Sequence, residues 1–329
     1  MCSKPTILPK PRNSFTTDGI TFVQEFVFKH GAHRVPLIDV STTGALNQII
    51  GHAKFINEAY GNVYYRGVNG LYNTVLPSFV RGKRTVKSVG LNTLLNNICD
   101  DPLLSISLKL RNYKTPHGTE NSRAKRFNKY CVEALLQHYA GYTRFIDIVD
   151  NHWVALWMGL HNFCFGGQGN KSCECQKRVI NFGDYYEHMI ATSSRSIDYN
   201  IYEYIILIAA PHGNGKNEYG IIESNELVEV DLRKALPSVF LRPHAQHALV
   251  IRKKGGMPSV KIPASFFDLA TQVVGILRIR IDRSAKWLGA GDLVSANNLF
   301  PSPSIDHGYN DLLSRTDIFQ GSYEILKYY

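Results

Sequence analysis

Apolar residues recur at helical spacing in three segments of the chain. In residues 42–60 they form one face, Leu46, Ile49, Ile50, Ala53 and Ile56, and Gly61 follows as a stop. Residues 123–138 show the same pattern, with basic residues on the opposite face. A third helix follows Asp150 and Asn151, which are good N-cap residues, and its many apolar positions predict that it is buried on most sides.

Strands are predicted where β-branched and aromatic residues cluster between turn residues. These segments are residues 20–28, 62–66, 201–209, 219–223, 248–251 and 276–281, and a short strand precedes Asp150. Residues 212–216 are predicted to form a hairpin turn, and residues 265–274, 284–288 and the C-terminal region to form helices. In this scheme Asp147 lies at the exit of its strand, on the turn into the next helix. The irregular order of strands and helices predicts an α+β fold rather than a doubly wound parallel sheet.

Residues 1–34 are predicted to form an N-terminal arm, because three prolines stand among lysines and serines, and residues 35–329 to form one domain. The chain has 329 residues, 44% hydrophobic and 19% charged, as is ordinary for a globular protein. Six scattered cysteines indicate reduced thiols and a cytoplasmic location. The longest apolar stretch, residues 201–210, contains Glu203 and is too short to span a bilayer, so no membrane association is expected.

The charge favours a polyanionic partner. There are 37 Lys and Arg residues against 27 Asp and Glu, a formal net charge of +10, and nucleic acid is the preferred interpretation. A basic surface that serves only solubility is the alternative. The candidate nucleic-acid-binding residues are Arg81, Lys83, Arg84, Lys125, Arg126, Lys129, Arg252 and Lys253.

Metal and phosphate-loop motifs are not matched. A Cys-x-Cys pair, Cys173 and Cys175, together with His161 and Cys164 lacks the two separated ligand pairs of a structural zinc site, so no metal is predicted. Residues 212–216 contain glycines and a lysine but not the spacing of a phosphate-binding loop.

Several short motifs occur in order over residues 61–311. They are Tyr65-Arg66-Gly67, Leu76-Pro77-Ser78 with Arg81 shortly after, Gln137-His138-Tyr139-x-Gly141, Thr143-Arg144-Phe145-Ile146-Asp147, Val154-Ala155-Leu156, Ala245-Gln246 and Leu299-Phe300-Pro301. Taken together, these motifs resemble the FRG domain family. The sequence departs from the family at Tyr65, where the family has Phe, at Ala140, and at Ala248, where the family tends to have Gly.

The FRG family in turn looks like a divergent branch of the ADP-ribosyltransferase superfamily. The resemblance implies a split β-sandwich core with surrounding helices, and NAD as co-substrate. It places Arg66 at the first catalytic position, Asp147 near the second and Gln246 at the third, with His247 as the alternative to Gln246. The residues expected to contact NAD are Tyr65, Arg66, Gly67, His138, Tyr139, Tyr142 and Thr143.

The leading hypothesis is therefore an NAD-dependent mono-ADP-ribosyltransferase of a bacterial toxin or anti-phage system. Its acceptor is expected to be RNA or DNA, with protein as the alternative, and an antitoxin partner is implied by the resemblance. Gln246 is a Gln where the superfamily normally has Glu. A catalytically silent nucleic-acid-binding module is thus a second hypothesis, and NAD hydrolysis without an acceptor is a third.

Overall fold

A nine-stranded mixed sheet forms the centre of the protein. The computed structural model describes residues 4–11, 15–30, 32–87, 91–93, 95–96, 129–139, 143–165, 183–187, 201–215, 220–255, 260–289 and 294–314. Within them the strands are β1 (Ile20–Val27), β2 (Arg34–Val40), β3 (Gly61–Val68), β4 (Thr85–Val86), β5 (Ile146–Val149), β6 (His161–Phe165), β7 (Gly183–Glu187), β8 (Tyr202–Pro211), β9 (Ile221–Glu223), β10 (Leu227–Asp231), β11 (Ala248–Lys253), β12 (Ile262–Pro263) and β13 (Val273–Arg280).

The helices flank this sheet. They are α1 (Thr43–Asn57), α2 (Lys129–Tyr139), α3 (His152–Leu160), α4 (Leu232–Ala235), α5 (Leu241–Ala245), α6 (Ile281–Leu288), α7 (Ala296–Leu299) and α8 (His307–Ser314). Three short 3₁₀ turns are also present, at Ser78–Val80, Ala264–Phe267 and Ala270–Gln272.

The sheet has two halves joined at a narrow seam. Its strand order is β1-β2-β13-β8-β3-β5-β11-β10-β9, and every neighbouring pair is antiparallel except β2 with β13. Strands β3 and β8 pair along eight positions, from Gly61 to Val68, whereas β3 and β5 pair only where Tyr65 faces Val149. The first half therefore ends at β3, and the second half begins at β5.

The two halves fold over each other around a shared inner core. Tyr64 on β3 donates a hydrogen bond to Glu229 on β10, at 2.5 Å, although β10 stands three places away in the strand order. A flat sheet would separate these strands by about 14 Å. One apolar cluster accordingly takes residues from both halves: Leu37, Tyr64, Ile206, Ile208 and Ile276 from the first, and Ile146, Ile148, Leu227, Leu249 and Ile251 from the second.

Helices cover the outer face of each half. On the first half, α1 and α3 supply Leu46, Ile49 and Leu156 to one cluster, and α3 lies so close that a β-carbon added at Gly67 would collide with the carbonyl of Ala155. A side chain at Gly67 would push α3 away, which explains the glycine after Arg66. On the second half, α2 supplies Leu135 to the cluster that also contains Val250 of β11.

Several predicted elements are confirmed. Helix α1 begins after Thr42, whose side chain accepts a hydrogen bond from the Ala45 N–H, and α3 begins after Asn151, which caps the Trp153 N–H. Strand β11 lies inside the sheet, between β5 and β10. Only residues 129–138 of the helix predicted for 123–138 fall in the described part, and they are helical.

Three local predictions are wrong. Asp147 is the second residue of β5 and not its exit; Asp150 follows the strand instead. The strands β8 and β9 form no hairpin, because β8 pairs with β3 and β13 while β9 pairs with β10. The segment predicted as one helix, 265–274, contains two 3₁₀ turns and the start of β13.

The described residues of the expected N-terminal arm pack onto the domain. Leu8 is buried, and its N–H bonds to the carbonyl of Val274. Strand β1 forms one edge of the large sheet, and Phe28 after it is buried in the inner core.

Candidate active site

The splayed seam between β3 and β5 brings Arg66 and Asp147 together. Beyond the Tyr65–Val149 pair the two strands separate, so backbone groups on the facing edges lose their sheet partners. The Arg66 Nη1 reaches across and donates to the carbonyl of Asp147 at 2.7 Å. No other hydrogen bond of this guanidinium is found among the described residues, so the rest of its fork is open to a ligand.

The Asp147 carboxylate is held by helix α2. Gln137 Nε2 donates to Asp147 Oδ2 at 2.6 Å, and His138 Nδ1 lies 3.8 Å from Oδ1. Burial alone would raise the pKa of Asp147, but His138, Arg66 and Gln137 outweigh it and lower that pKa. The carboxylate is therefore ionised at neutral pH, and 40% of its side chain is exposed.

The side chain of His138 is more deeply buried than that of Asp147 and is uncharged. Its side chain is 3% exposed, and burial lowers its pKa despite the opposing influence of Asp147, so the ring is neutral at pH 7. The Nε2 atom is buried and has no hydrogen-bond partner in the described part of the chain. A buried polar atom of this kind is costly unless a ligand or a water satisfies it.

Thr143 fixes the amide that holds Asp147. Its hydroxyl donates to Gln137 Oε1 at 2.7 Å and accepts from the Phe145 N–H at 3.1 Å. Because Gln137 Oε1 is an acceptor here, its Nε2 must point at Asp147. A chain of hydrogen bonds thus runs from the start of β5 through Thr143 and Gln137 to the carboxylate.

Arg66 remains a cation in spite of its surroundings. Burial, followed by repulsion from the nearby Arg81, lowers the pKa of Arg66 to about 10, against the attraction of Asp147. The guanidinium is therefore protonated at pH 7. It lies in a partly desolvated position, where a charge-assisted hydrogen bond to an anion is stronger than on an open surface.

Other residues expected to contact NAD have different surroundings. Tyr65 is fully buried between α1 and α3, with its ring edge-on to His152, and offers no ring face to a ligand. Tyr139 donates its hydroxyl to Asp306 at 2.7 Å, and its ring stacks under the Arg242 guanidinium. Both contacts of Tyr139 hold α2 in place. Tyr142 lies outside the described residues.

The structure does not bring Gln246 to Arg66 and Asp147. Val250 of β11 faces Asp147 and Ala248 faces Val149, whereas Gln246 precedes the strand and caps the C-terminal end of α5. Gln246 is buried, and its amide donates to the carbonyl of Leu299 at 2.7 Å. The alternative, His247, lies at the same end of the strand, 3.2 Å from Asp150.

The candidate nucleic-acid-binding residues divide into two groups. Arg81, Lys83, Arg84 and Lys129 are exposed. Arg252 is not available to a polyanion, because it is buried in an ion pair with Glu133 at 2.9 Å, and Lys253 is mostly covered and lies 3.7 Å from Glu226. Lys125 and Arg126 lie outside the described residues.

Gln137 is the site residue that sequence reasoning missed. It stands in the Gln137-His138-Tyr139 motif, but only the histidine and tyrosine were expected to act. The signal was available in its position on α2, one residue before His138, since a polar side chain on a helix facing a buried strand needs a partner. Its partners are Thr143 and Asp147.

Comparisons with protein-family models, with curated proteins and with solved structures found no match to this chain. Among the described residues, no group of three or more His, Cys, Asp or Glu side chains is arranged to hold a metal ion. No helix in the same part of the chain combines the length and apolar character needed to cross a bilayer.

Proposed function

We propose that this protein is an NAD-dependent mono-ADP-ribosyltransferase that modifies a macromolecule. The observation that carries the proposal is the convergence of Arg66 with an ionised, partly exposed Asp147 at the seam between β3 and β5. These two residues come from two of the motifs, Tyr65-Arg66-Gly67 and Thr143 to Asp147, whose order and spacing carry the resemblance to the FRG family. In the sequence they are separated by 81 positions.

The fold supports the same proposal. An ADP-ribosyltransferase-like split β-sandwich has two sheets that part around a cleft. Here the two halves of the sheet share an inner core and are joined at one residue pair, Tyr65 with Val149. The candidate residues lie beside that junction, where strands separate and side chains rather than the sheet satisfy backbone groups.

The residues at the seam fit NAD as a substrate. The open part of the Arg66 fork suits the diphosphate, because a guanidinium binds two oxygens at once. The unsatisfied Nε2 of buried His138 suits a hydroxyl of the substrate. The Asp147 carboxylate supplies the negative charge that stabilises a ribose becoming cationic in the transition state.

The chemical step needs no metal in this scheme. The bond between the nicotinamide nitrogen and the ribose C1 breaks, and its electron pair leaves with nicotinamide. A nucleophilic atom of the acceptor then bonds to C1 and releases its proton to water. Asp147 stabilises the cationic ribose between these two events, and Arg66 retains the diphosphate.

Nucleic acid is the acceptor that the surface favours. Arg81 is close enough to Arg66 to lower its pKa, and the 3₁₀ turn before Arg81 bonds through the Phe79 N–H to the Thr143 carbonyl. Exposed cations at Arg81, Lys83 and Arg84 therefore lie next to the candidate site. We extend the proposal to RNA or DNA as substrate, in a toxin or anti-phage role with an antitoxin partner; a protein acceptor is the alternative.

The test is transfer of label from NAD. Purified protein is incubated with NAD labelled in the adenosine part and, separately, with total RNA, single-stranded DNA, double-stranded DNA and lysate protein. One labelled pool is expected; Arg66→Ala should abolish its labelling, and Asp147→Asn should slow the labelling about 100-fold. Arg278→Lys serves as the matched control, since Arg278 pairs with Asp39 on β2, far from the seam in strand order. Absence of label in every pool would contradict the proposal, and free nicotinamide without a labelled pool would indicate hydrolysis of NAD instead.

A silent nucleic-acid-binding module is the second candidate. It is favoured by Gln246, which carries no charge and whose amide is taken by Leu299. This reading predicts binding of RNA or DNA that neither NAD nor Asp147→Asn alters. Measuring nucleic-acid affinity with and without NAD separates the two candidates.

A further inference from the structure

A cleft of about 590 Å³ opens at the other end of the β3–β5 seam from Arg66. Its walls come from both halves of the sheet: Gly61–Tyr64 on one side, and residues of β9, β10 and β11 on the other. Because Tyr65 pairs with Val149, the cleft and the Arg66–Asp147 site lie on opposite sides of that pair. The volume is ordinary for a small-molecule site.

The floor of the cleft presents a buried acid. Glu229 is 3% exposed and accepts a hydrogen bond from the Tyr64 hydroxyl, which in turn accepts one from Asn62 at 3.2 Å. No second hydrogen bond to Glu229 is found among the described residues. A carboxyl group kept from water with incomplete bonding is matched by a ligand that brings an N–H donor.

Two of the neighbouring carboxylates are already paired, and a further acid of the lining, Glu58, is exposed. Asp231 is bound by Arg233 at 2.9 Å, and the same arginine holds Asp150 at 2.8 Å. Lys234 also lies 3.4 Å from Asp231, so each of these two acids has a cation partner within the wall of the cleft. Glu229 is the acid of this cleft that pairs with a tyrosine rather than with a cation.

The rim carries an aromatic ring in water. Phe55 on α1 is 74% exposed, the highest exposure among the large apolar residues of the described part of the chain. It lines the cleft together with Lys54 and Lys234, both exposed. An exposed ring beside cations is the arrangement that proteins use to stack a base and to meet its phosphate.

We propose that this cleft binds a nucleotide, with its base stacked on Phe55 and donating an N–H to Glu229, and its phosphate near Lys54 and Lys234. The chemistry is the same whether the nucleotide is free or part of a single strand. The inference does not depend on the transferase activity, because it rests on residues at the opposite side of the seam.

The test measures binding to the full chain by isothermal titration with AMP, GMP, CMP, UMP and a short single-stranded oligonucleotide. Saturable binding of at least one probe is expected, weakened roughly tenfold by Phe55→Ala. Phe266→Ala is the matched control, since Phe266 is also exposed but does not line the cleft, and it should bind as the unchanged protein does. Tighter binding of the mononucleotide identifies a free ligand, and tighter binding of the oligonucleotide identifies a strand.

A pH series adds a second readout. Burial, against the hydrogen bond from Tyr64, raises the pKa of Glu229 to about 7, with Asp231 raising it further and Lys234 and His212 opposing. Affinity should therefore rise from pH 6 to pH 8 as the acid ionises, and Glu229→Gln should remove that part of the dependence while the other groups keep theirs. Absence of saturable binding, or equal affinities in Phe55→Ala and Phe266→Ala, would overturn the proposal; Phe55 is a surface residue, so its replacement leaves folding intact.

Discussion

Glu133 and Asp147 are two acids on the α2–β5 part of the chain that meet arginines in different ways. Glu133 is fully buried, and its carboxylate forms ion pairs with two arginines, Arg144 at 2.7 Å and Arg252 at 2.9 Å. Burial would raise the pKa of Glu133, but the two cations outweigh it and lower that pKa. Asp147 instead receives its arginine on the backbone carbonyl, and its carboxylate is partly open.

The difference separates a structural cluster from a candidate site. In the Glu133 cluster the carboxylate is already bound by two guanidinium groups inside the protein, so a ligand would have to displace a buried ion pair. At Asp147 the charge is oriented by neutral groups, Gln137 and His138, and the cation Arg66 has open donors. Pre-oriented charges that are not yet paired are what binding and catalysis require.

Removing Glu133 should have the largest effect on stability. Glu133→Ala leaves the guanidinium groups of Arg144 and Arg252 buried without their anion, and we expect the free energy of unfolding to fall by about 3–5 kcal/mol. Urea denaturation measures this loss. Glu226→Ala is the matched control, because its exposed carboxylate lies 3.7 Å from Lys253 and such surface pairs contribute about 0–1 kcal/mol. An equal loss of unfolding free energy in the two variants would contradict the structural role given to Glu133.

Glu203 extends the comparison to an acid that pairs with no cation among the described residues. Burial, against a weaker effect of Ser284, raises the pKa of Glu203 to about 8. The folded protein therefore keeps a proton that the unfolded chain releases above pH 4.5, so stability should fall by about 3 kcal/mol as the pH rises from 5 to 8. Glu203→Gln should lose this slope in urea denaturation at several pH values. A variant whose slope equals that of the unchanged protein would contradict the assignment; Glu229, with a pKa raised to about 7, contributes equally to both.

Asp147→Asn tests the open acid directly. The amide preserves shape and still accepts from Gln137, but it removes the charge, and we expect the rate of ADP-ribose transfer to fall about 100-fold. The free energy of unfolding should change by less than about 1 kcal/mol, because the side chain is partly exposed. Asp39→Asn is the control, an aspartate of β2 paired with Arg278. If Asp147→Asn lowered the stability and left the transfer rate unchanged, Asp147 would have a structural role, as Glu133 does.

Local patterns in the sequence predicted much of the fold. Helices α1 and α3 follow from apolar spacing and from the caps Thr42 and Asn151, which are local signals. The segment 265–274 is not one helix, because two 3₁₀ turns occupy most of it and its last two residues join β13, whose pairing with β8 depends on a distant part of the chain. The prediction of a hairpin at residues 212–216 is wrong because the strands that pair with β8 and β9 come from other parts of the chain.

The candidate site could be predicted only in part. Arg66 and Asp147 were both expected from the motifs of the resemblance, and the structure places them in contact. The burial of Arg252 could not be foreseen, because its partner Glu133 is 119 positions away and a cationic sequence segment looks the same whether it faces water or an acid. The role of Gln137 was not predicted, because it depends on Thr143 and Asp147, the two residues that its amide joins by hydrogen bonds.

Thr143 offers the smallest and most specific effect. Thr143→Val keeps the shape of the side chain but removes the hydroxyl that orients Gln137, so the amide loses the contact that aims its Nε2 at Asp147. We expect transfer to fall about tenfold through misplacement of the carboxylate, with a loss of about 1 kcal/mol in stability from the unpaired Phe145 N–H. Thr143→Ser keeps the hydroxyl and should restore most of the transfer rate in the labelled-NAD assay. If serine and valine variants were equally slow, the hydrogen-bond chain from Thr143 would have no part in positioning Asp147, and the site would reduce to Arg66 and Asp147 themselves.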